Sequence, residues 1–193
     1  MLPVTLSSAR VRLDVPTRAD TAAITAGCQD PDVVRWTTVP TPYTEHHARS
    51  FVDALVGPGW ASDQEYTWAI RRAGSTWLEG VVSYRTSYRG LGFWLAPSAR
   101  GAGLVHEAVE LVVAWAFSQG APDVYWECWE GNTGSARVAR RAGFSYTGTA
   151  PARVPDRDGG PTTAWTGLRR ADGAPTSDRP WPAAVVGRPG DVR

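Results

Sequence analysis

Two junctions in the chain carry residues that could do chemistry. The first is "LAPSARGAGLVHE" (95–107), where Arg100, Gly101 and Gly103 stand between an apolar run and a helical pattern. A glycine turn entering a helix leaves backbone N–H groups unpaired at the positive end of the helix dipole, and such a junction receives phosphate. Arg100 is expected to add positive charge there. Two other phosphate loops are excluded: the chain has no Lys for a Walker loop, and its glycines are not spaced G-x-G-x-x-G. The second junction is "GNTGSARVARRAGF" (131–144), which directly follows a strand-like segment. Asn132, the only asparagine in the chain, has the type and place of a helix N-cap, and Ser135 brings a hydroxyl to the first turn. On "DVYWECWE" (123–130), strand alternation puts Glu127 on one face with Tyr125 and Trp129. A carboxylate there could take a proton from an amine, or could be a solvated edge residue.

The elements that must position these residues are read from periodicity. "ARVRLDV" (9–15) alternates as a strand, and Thr17 starts a helix over the Ala-rich stretch after it. A second helix opens at Thr44 and is expected to stop at Gly57-Pro58; His46 and His47 on it are expected at the surface. "EYTWAIRR" (65–72) and "LEGVVSYRTS" (78–87) form a hairpin around Gly74-Ser75. "LGFWLA" (91–96) is almost wholly apolar, which suggests burial on both faces. Val105, Ala108, Val109, Val112, Trp115 and Ala116 form one stripe of a helix over 104–119. A strand over 123–130, a short helix ending at Gly143 and a closing hairpin around "PDRDGG" complete the order β-α-α-β-β-β-α-β-α-β-β. That order predicts a mixed sheet with helices on it, of the α+β or α/β kind. The domain is expected to span 1–170, with the Pro/Gly-rich 171–193 as a mobile tail.

Composition narrows the classes of function. The chain has 193 residues, enough for one domain. Its 20 basic residues, all Arg, nearly match its 19 acidic ones, so charge gives no case for nucleic acid or a membrane surface. No apolar run reaches membrane-helix length, and the first residues do not read as a signal peptide; a cytoplasmic protein is expected. Cys28 and Cys128 lack metal-ligand spacing, so no metal site is expected and both thiols are expected reduced.

Taken together, "GFWLAPSARGAGLVHEAVELVVAWAF" (92–117) and "NTGSARVARRAGF" (132–144) resemble the GNAT acetyltransferase superfamily. Within it they are most similar to the Rim-type ribosomal-protein N-terminal acetyltransferases and their small-molecule relatives. "DPDVVRWTTVPTPYTEHHARSFV" (30–52) resembles the same branch, so the likeness spans about residues 5–170. The resemblance implies the GNAT fold: a mostly antiparallel mixed sheet splayed between the fourth and fifth strands, with about four helices. It implies acetyl-CoA as co-substrate and direct attack by an amine through a tetrahedral intermediate. The backbone of Phe93, Trp94 and Leu95 would pair with the pantetheine. The amides of Arg100, Gly101, Ala102, Gly103, Leu104 and Val105 would cradle the pyrophosphate. Asn132 would hydrogen-bond the pantetheine arm, and Ser135 would lie near the sulfur.

Three departures from the family pattern shape the functional reading. Ala139 stands where many members carry the Tyr that protonates the departing thiolate, so that task falls to Ser135 or water. No carboxylate precedes the "GFWL" strand, which leaves Glu127 or Glu130 as base, or an acceptor amine of low pKa that needs none. An α-amino group, with pKa about 7.7–8.0, is roughly one-tenth neutral at pH 7, whereas a Lys-like amine is almost wholly charged. Val105 stands where a small residue is usual, which keeps open an acyl carrier protein as donor. Trp36 and Trp129, among ten tryptophans, are expected to line an acceptor pocket suited to a flat or apolar amine. The leading expectation is thus an N-acetyltransferase acting on a small-molecule amine, as in biosynthesis or antibiotic modification. The alternatives are a protein N-terminal acetyltransferase, a carrier-protein-dependent acyltransferase and a non-catalytic binding module. The expected assembly is a monomer or homodimer.

Overall fold

The computed structural model describes residues 1–186. Eight strands form one sheet: β1 (Leu6–Ser7), β2 (Val11–Asp14), β3 (Glu65–Arg72), β4 (Gly80–Arg85), β5 (Gly90–Leu95), β6 (Asp123–Trp129), β7 (Ser145–Pro151) and β8 (Thr163–Arg170). They lie in the order β1-β2-β3-β4-β5-β6-β8-β7. Every neighbouring pair is antiparallel except β5–β6. That parallel pair is in register only at Gly90↔Tyr125 and Leu91↔Trp126. Beyond it the strands diverge, because β5 follows β4 to Leu95 while β6 follows β8 to Trp129. This is the expected splay. It falls between the fifth and sixth strands because the two-residue β1 was not legible as a strand.

The helical segments are α1 (Thr21–Cys28), α2 (Pro31–Trp36), α3 (Glu45–Ser50), α4 (Gly57–Ala61), α5 (Leu104–Ser118), α6 (Thr133–Arg141) and α7 (Ala183–Val186). The main core lies between the sheet and α5, whose Leu104, Ala108, Val109, Val112, Val113 and Ala116 are buried. Trp115 completes that face, its ring 5.1 Å from Tyr66 and 5.2 Å from Trp68, both edge-on. Edge-to-face packing suits the aromatic quadrupole and fixes the helix against β3. α6 ends in a Schellman motif: Phe144 N–H donates to Ala139 O at 3.1 Å and Gly143 N–H to Arg140 O at 3.2 Å, with Gly143 at φ +73.

Three expectations are corrected here. Gly57-Pro58 does not stop the helix begun at Thr44. After α3 the chain widens into a π turn over Phe51–Val56, and Gly57 and Pro58 form the first turn of α4. Gly57 N–H donates five residues back to Val52 O, so the helix passes through the proline at the wider π spacing rather than restarting there. The strand at 91–96 is not buried on both faces: Gly92 is exposed and Phe93 and Trp94 are half-buried, because the splay opens beside them. The segment after Arg170 is no free tail as far as it is described. Trp181 lies 5.7 Å from the Trp126 ring and 5.4 Å from Tyr146, and Val185 is buried. Residues 187–193 of that expected tail lie outside the described residues. No helix among the described residues is long and apolar enough to cross a membrane.

Candidate active site

The site begins where β5 turns toward α5. A short 3-10 turn over Pro97–Ala99 spends the Arg100 N–H on Pro97 O at 3.2 Å. Gly101 and Gly103 then adopt left-handed φ values of +79 and +76. Gly103 is the N-cap of α5, with no side chain capping it. Among the described residues, the amides of residues 101–106 donate to no protein acceptor. A Cβ on Gly101 would meet nothing within 4 Å, so a ligand can approach that backbone. The run of open amides therefore begins one residue later than expected, at Gly101.

The Arg100 side chain is not in that cradle. Its guanidinium pairs with Asp30 and, at 2.9 Å, with Asp32, and also donates to Leu95 O. Two carboxylates spend its charge, so Arg100 does not supply the expected free cation. The Leu95 carbonyl is thereby taken as well. Arg10 lies beside the cradle, where it donates to Ala102 O at 3.3 Å and pairs with Glu107 at 2.6 Å. Sequence reading missed Arg10, whose only signal was its place in a strand. Val105 packs against the core cluster, and Leu104 is buried. Val105, standing where a small residue is usual, thus has its side chain packed against the core.

Along the splay lies a cavity of about 570 Å³. Phe93 and Trp94 of β5 form one side; Trp126, Glu127, Cys128 and Trp129 of β6 form the other, with Asn132 and Ser135 at its end. Trp36 to Val39, Tyr43, His47 and Phe51 close it. Trp36 and Trp129 both line the cavity. His47 is a correction: it lines the cavity and caps α3, its Nδ1 3.1 Å from the Thr44 amide, while His46 is exposed.

The polar groups of the cavity are held individually. Asn132 is the N-cap of α6: its Oδ1 accepts from Ser135 N–H at 3.1 Å, and its Nδ2 donates to no acceptor among the described residues. Ser135 Oγ accepts from Trp126 Nε1 at 3.1 Å. Since an indole N–H only donates, the hydroxyl proton of Ser135 is left to point elsewhere. Ala139 is buried, so no acid stands at that position. Glu127 accepts from the Tyr125 hydroxyl at 2.8 Å and from the Arg153 amide at 3.2 Å. Burial and, secondarily, that bond to Glu127 push the Tyr125 phenol up to about 12, so Tyr125 stays a donor. The Arg153 guanidinium stacks over Tyr88 at 4.7 Å and Tyr125 at 5.0 Å. Glu130 is not among the residues lining the cavity and accepts from Thr163 at 2.8 Å. Burial also pushes the Cys128 thiol up to about 12, with Ser135 acting in the opposite sense. A neutral thiol is a poor nucleophile. Among the described residues, no cluster of His, Cys, Asp and Glu is placed to hold a metal ion.

The residues present fit acetyl-CoA: open amides for its phosphates, a splayed strand edge for its arm, and a cavity at the reactive end. Comparison with known proteins agrees. Residues 10–145 match the family model described as an acetyltransferase (GNAT) domain. No curated protein matches the chain. Its fold is similar to the ribosomal-protein-S5-alanine acetyltransferase of Vibrio fischeri, at 17% identity and TM-score 0.72, over 88% of this chain and 97% of that one. It is similar to RimL, a ribosomal L7/L12 α-N-protein acetyltransferase solved with coenzyme A, at 16% identity and TM-score 0.76, over 89% and 100%. It is also similar to MccE, a microcin C7 self-immunity acetyltransferase solved with acetyl-CoA and AMP, at 16% identity and TM-score 0.74, over 84% and 93%. With the family model covering most of its length, the chain belongs to the GNAT acetyltransferases.

Proposed function

We propose that this protein transfers an acetyl group from acetyl-CoA to the amino group of a small molecule with a flat or apolar body. The observation that carries this reading is the cavity of about 570 Å³, whose walls include Trp36, Phe51, Phe93, Trp94, Trp126 and Trp129. Aromatic walls bury flat surface at low entropic cost and orient it.

In this reading the amides of 101–106 hold the phosphates of acetyl-CoA, and the β5 edge at Phe93 and Trp94, short of the Leu95 carbonyl that Arg100 holds, aligns its arm. Asn132 Nδ2 donates to that arm. Acetyl-CoA supplies the activated carbonyl; the acceptor nitrogen bonds to it and the thiol departs. Glu127, held by Tyr125 and Arg153, takes the proton that the acceptor nitrogen loses. Ser135 donates toward the departing sulfur, its oxygen polarised by Trp126 N–H. Val105, turned to the core, favours acetyl-CoA over a carrier protein as donor.

One observation favours a second reading, acetylation of a protein N-terminus. A groove of about 430 Å³, lined by Pro58, Gly59, Ser62, Gln64, Thr86 and Ser87, shares Ala54, Leu55, Glu65 and Arg85 with the cavity. It could receive the residues that follow a terminal amino group.

The test is calorimetry with acetyl-CoA, then thiol release with a panel of aromatic amines, aliphatic amines and N-terminal peptides. Aromatic amines turning over best supports the first reading; peptides alone turning over supports the second. On the best acceptor, Glu127→Gln should lower kcat about a hundredfold near neutral pH with acetyl-CoA affinity kept. Unchanged kcat removes Glu127 from the reaction.

A further inference from the structure

The short helix α2 is tied at both ends by arginines from other parts of the chain. Its N-terminal end carries Asp30, the N-cap, whose carboxylate accepts from Val33 N–H at 3.1 Å, and Asp32. Arg100, at the edge of the open-amide loop, pairs with both. The other end is held from the loop between β7 and β8. Arg157 Nε donates to Val34 O at 2.7 Å, and Nη1 to Val39 O at 2.9 Å and Thr41 Oγ1 at 2.8 Å. Its Nη2 donates to Thr37 O at 3.0 Å and also to Val34 O. One guanidinium thus satisfies carbonyls that a helix end leaves without partners. The Arg157 loop is anchored in turn to β6: Trp129 Nε1 donates to Val154 O at 3.1 Å, and Arg153 N–H to Glu127 at 3.2 Å. Within the stretch that Arg157 holds, Trp36, Thr37, Thr38 and Val39 line the cavity.

We propose that Arg100 and Arg157 are positioning residues that sling α2 across the site and so set the acceptor wall formed by Trp36 to Val39. This deepens the acetyl-transfer reading and rests on it for its kinetic arm. It reverses the expected part of Arg100: its side chain holds the acceptor wall, while the neighbouring backbone faces the phosphates. It also gives the Asp-x-Asp at 30–32 a task, since Arg100 spans both carboxylates. A six-residue helix has little stability of its own, so its place depends on such ties.

The test compares Arg157→Ala, Arg157→Lys and Arg100→Gln with the unaltered protein. Hydrogen exchange over residues 31–41, acetyl-CoA calorimetry and acceptor kinetics are measured on each. For Arg157→Ala, exchange over 31–41 should rise about tenfold or more while acetyl-CoA affinity stays within about twofold. The acceptor KM should rise about tenfold, with kcat changing less. Arg157→Lys should fall between, because an ammonium cannot reach four acceptors as a planar fork does. Arg100→Gln should loosen 31–41 with acetyl-CoA affinity held within about threefold. Two results overturn the proposal: unchanged exchange over 31–41 in both Ala and Gln variants, or a loss of acetyl-CoA affinity in Arg100→Gln with that exchange unchanged. If the unaltered protein acetylates no amine, the functional reading fails, and exchange with calorimetry still decides the sling.

Discussion

Two strand-to-helix junctions flank the splay, and they are built in opposite ways. At the β5–α5 junction the N-cap is Gly103, left-handed and without a capping side chain. At the β6–α6 junction Asn132 folds its own carbonyl oxygen onto Ser135 N–H. Both helices present the positive end of a dipole, but the first leaves the run 101–106 open where the second leaves a single amide, that of Gly134. The first junction can hold charge with its backbone. The second has spent most of its backbone, with Gly134 N–H alone of residues 132–136 lacking a protein acceptor among the described residues, and adds the side-chain donors Asn132 Nδ2 and the Ser135 hydroxyl. The difference matches the parts of acetyl-CoA each would meet, a pyrophosphate at one and an uncharged arm and sulfur at the other.

The sharpest way to break this contrast is Gly103→Val. The residue sits at φ +76, where a β-branched side chain is strained by about 1–3 kcal/mol, and a Cβ there lies 3.5 Å from the Arg10 guanidinium. The loop should shift and acetyl-CoA affinity should fall about a hundredfold by calorimetry. Affinity equal to that of the unaltered protein removes the loop from the site.

At the second junction the largest effect is expected from Ser135→Ala, in two separable parts. Removing Oγ leaves the buried Trp126 N–H without its acceptor, which costs about 1–3 kcal/mol and lowers the melting temperature. Removing the hydroxyl proton should lower turnover per folded enzyme about tenfold, the low end of general-acid effects because a thiol already leaves well. Acetyl-CoA affinity should change little. A lower melting temperature with normal turnover per folded enzyme leaves Ser135 as an anchor for Trp126 and gives the proton to water.

The contrast between the junctions was largely legible in the sequence, because glycine turns and N-caps are local signals. So were the sheet, from its alternating strands, and the α5 core face, from its period. What was not legible depends on partners far apart in the chain. Arg100 reads as a phosphate ligand until Asp30 and Asp32 are brought beside it. Nothing local marks Arg157 as the tie on Val34 and Val39. Composition alone made 171–193 a tail, yet Trp181 finds Trp126 and Tyr146. The π turn at Phe51–Val56 hid because its residues are ordinary helix material up to Gly57-Pro58.

Asn132 serves two purposes that a pair of substitutions can divide. Asn132→Asp keeps an oxygen for Ser135 N–H and places charge where the helix dipole favours it, so the fold should keep its melting temperature. It loses the Nδ2 donor, and acetyl-CoA should bind about threefold to tenfold more weakly, the worth of one hydrogen bond. Asn132→Ala should add a stability loss of about 1 kcal/mol from the missing cap. Equal affinity in both variants and the unaltered protein would show that the second junction touches no ligand.

The smallest effect is expected at Val105, and it tests the first junction from its other side. In sequence this β-branched residue looks like an obstacle in a phosphate loop. In the fold its side chain joins the core beside α5, half-buried, while the amides of the same turn stay open. Val105→Ala should therefore cost stability alone, about 1 kcal/mol for partly buried methyl groups. Acetyl-CoA affinity should stay within about twofold, because the side chain packs against the core while the amide has no protein acceptor among the described residues. Binding tightened tenfold would mean that the methyl groups do crowd the cradle, and that the junction is less open than its unpaired amides imply. Binding weakened tenfold would mean that the turn depends on this packing to hold its amides in line. Calorimetry on a variant whose melting temperature is measured alongside distinguishes the three.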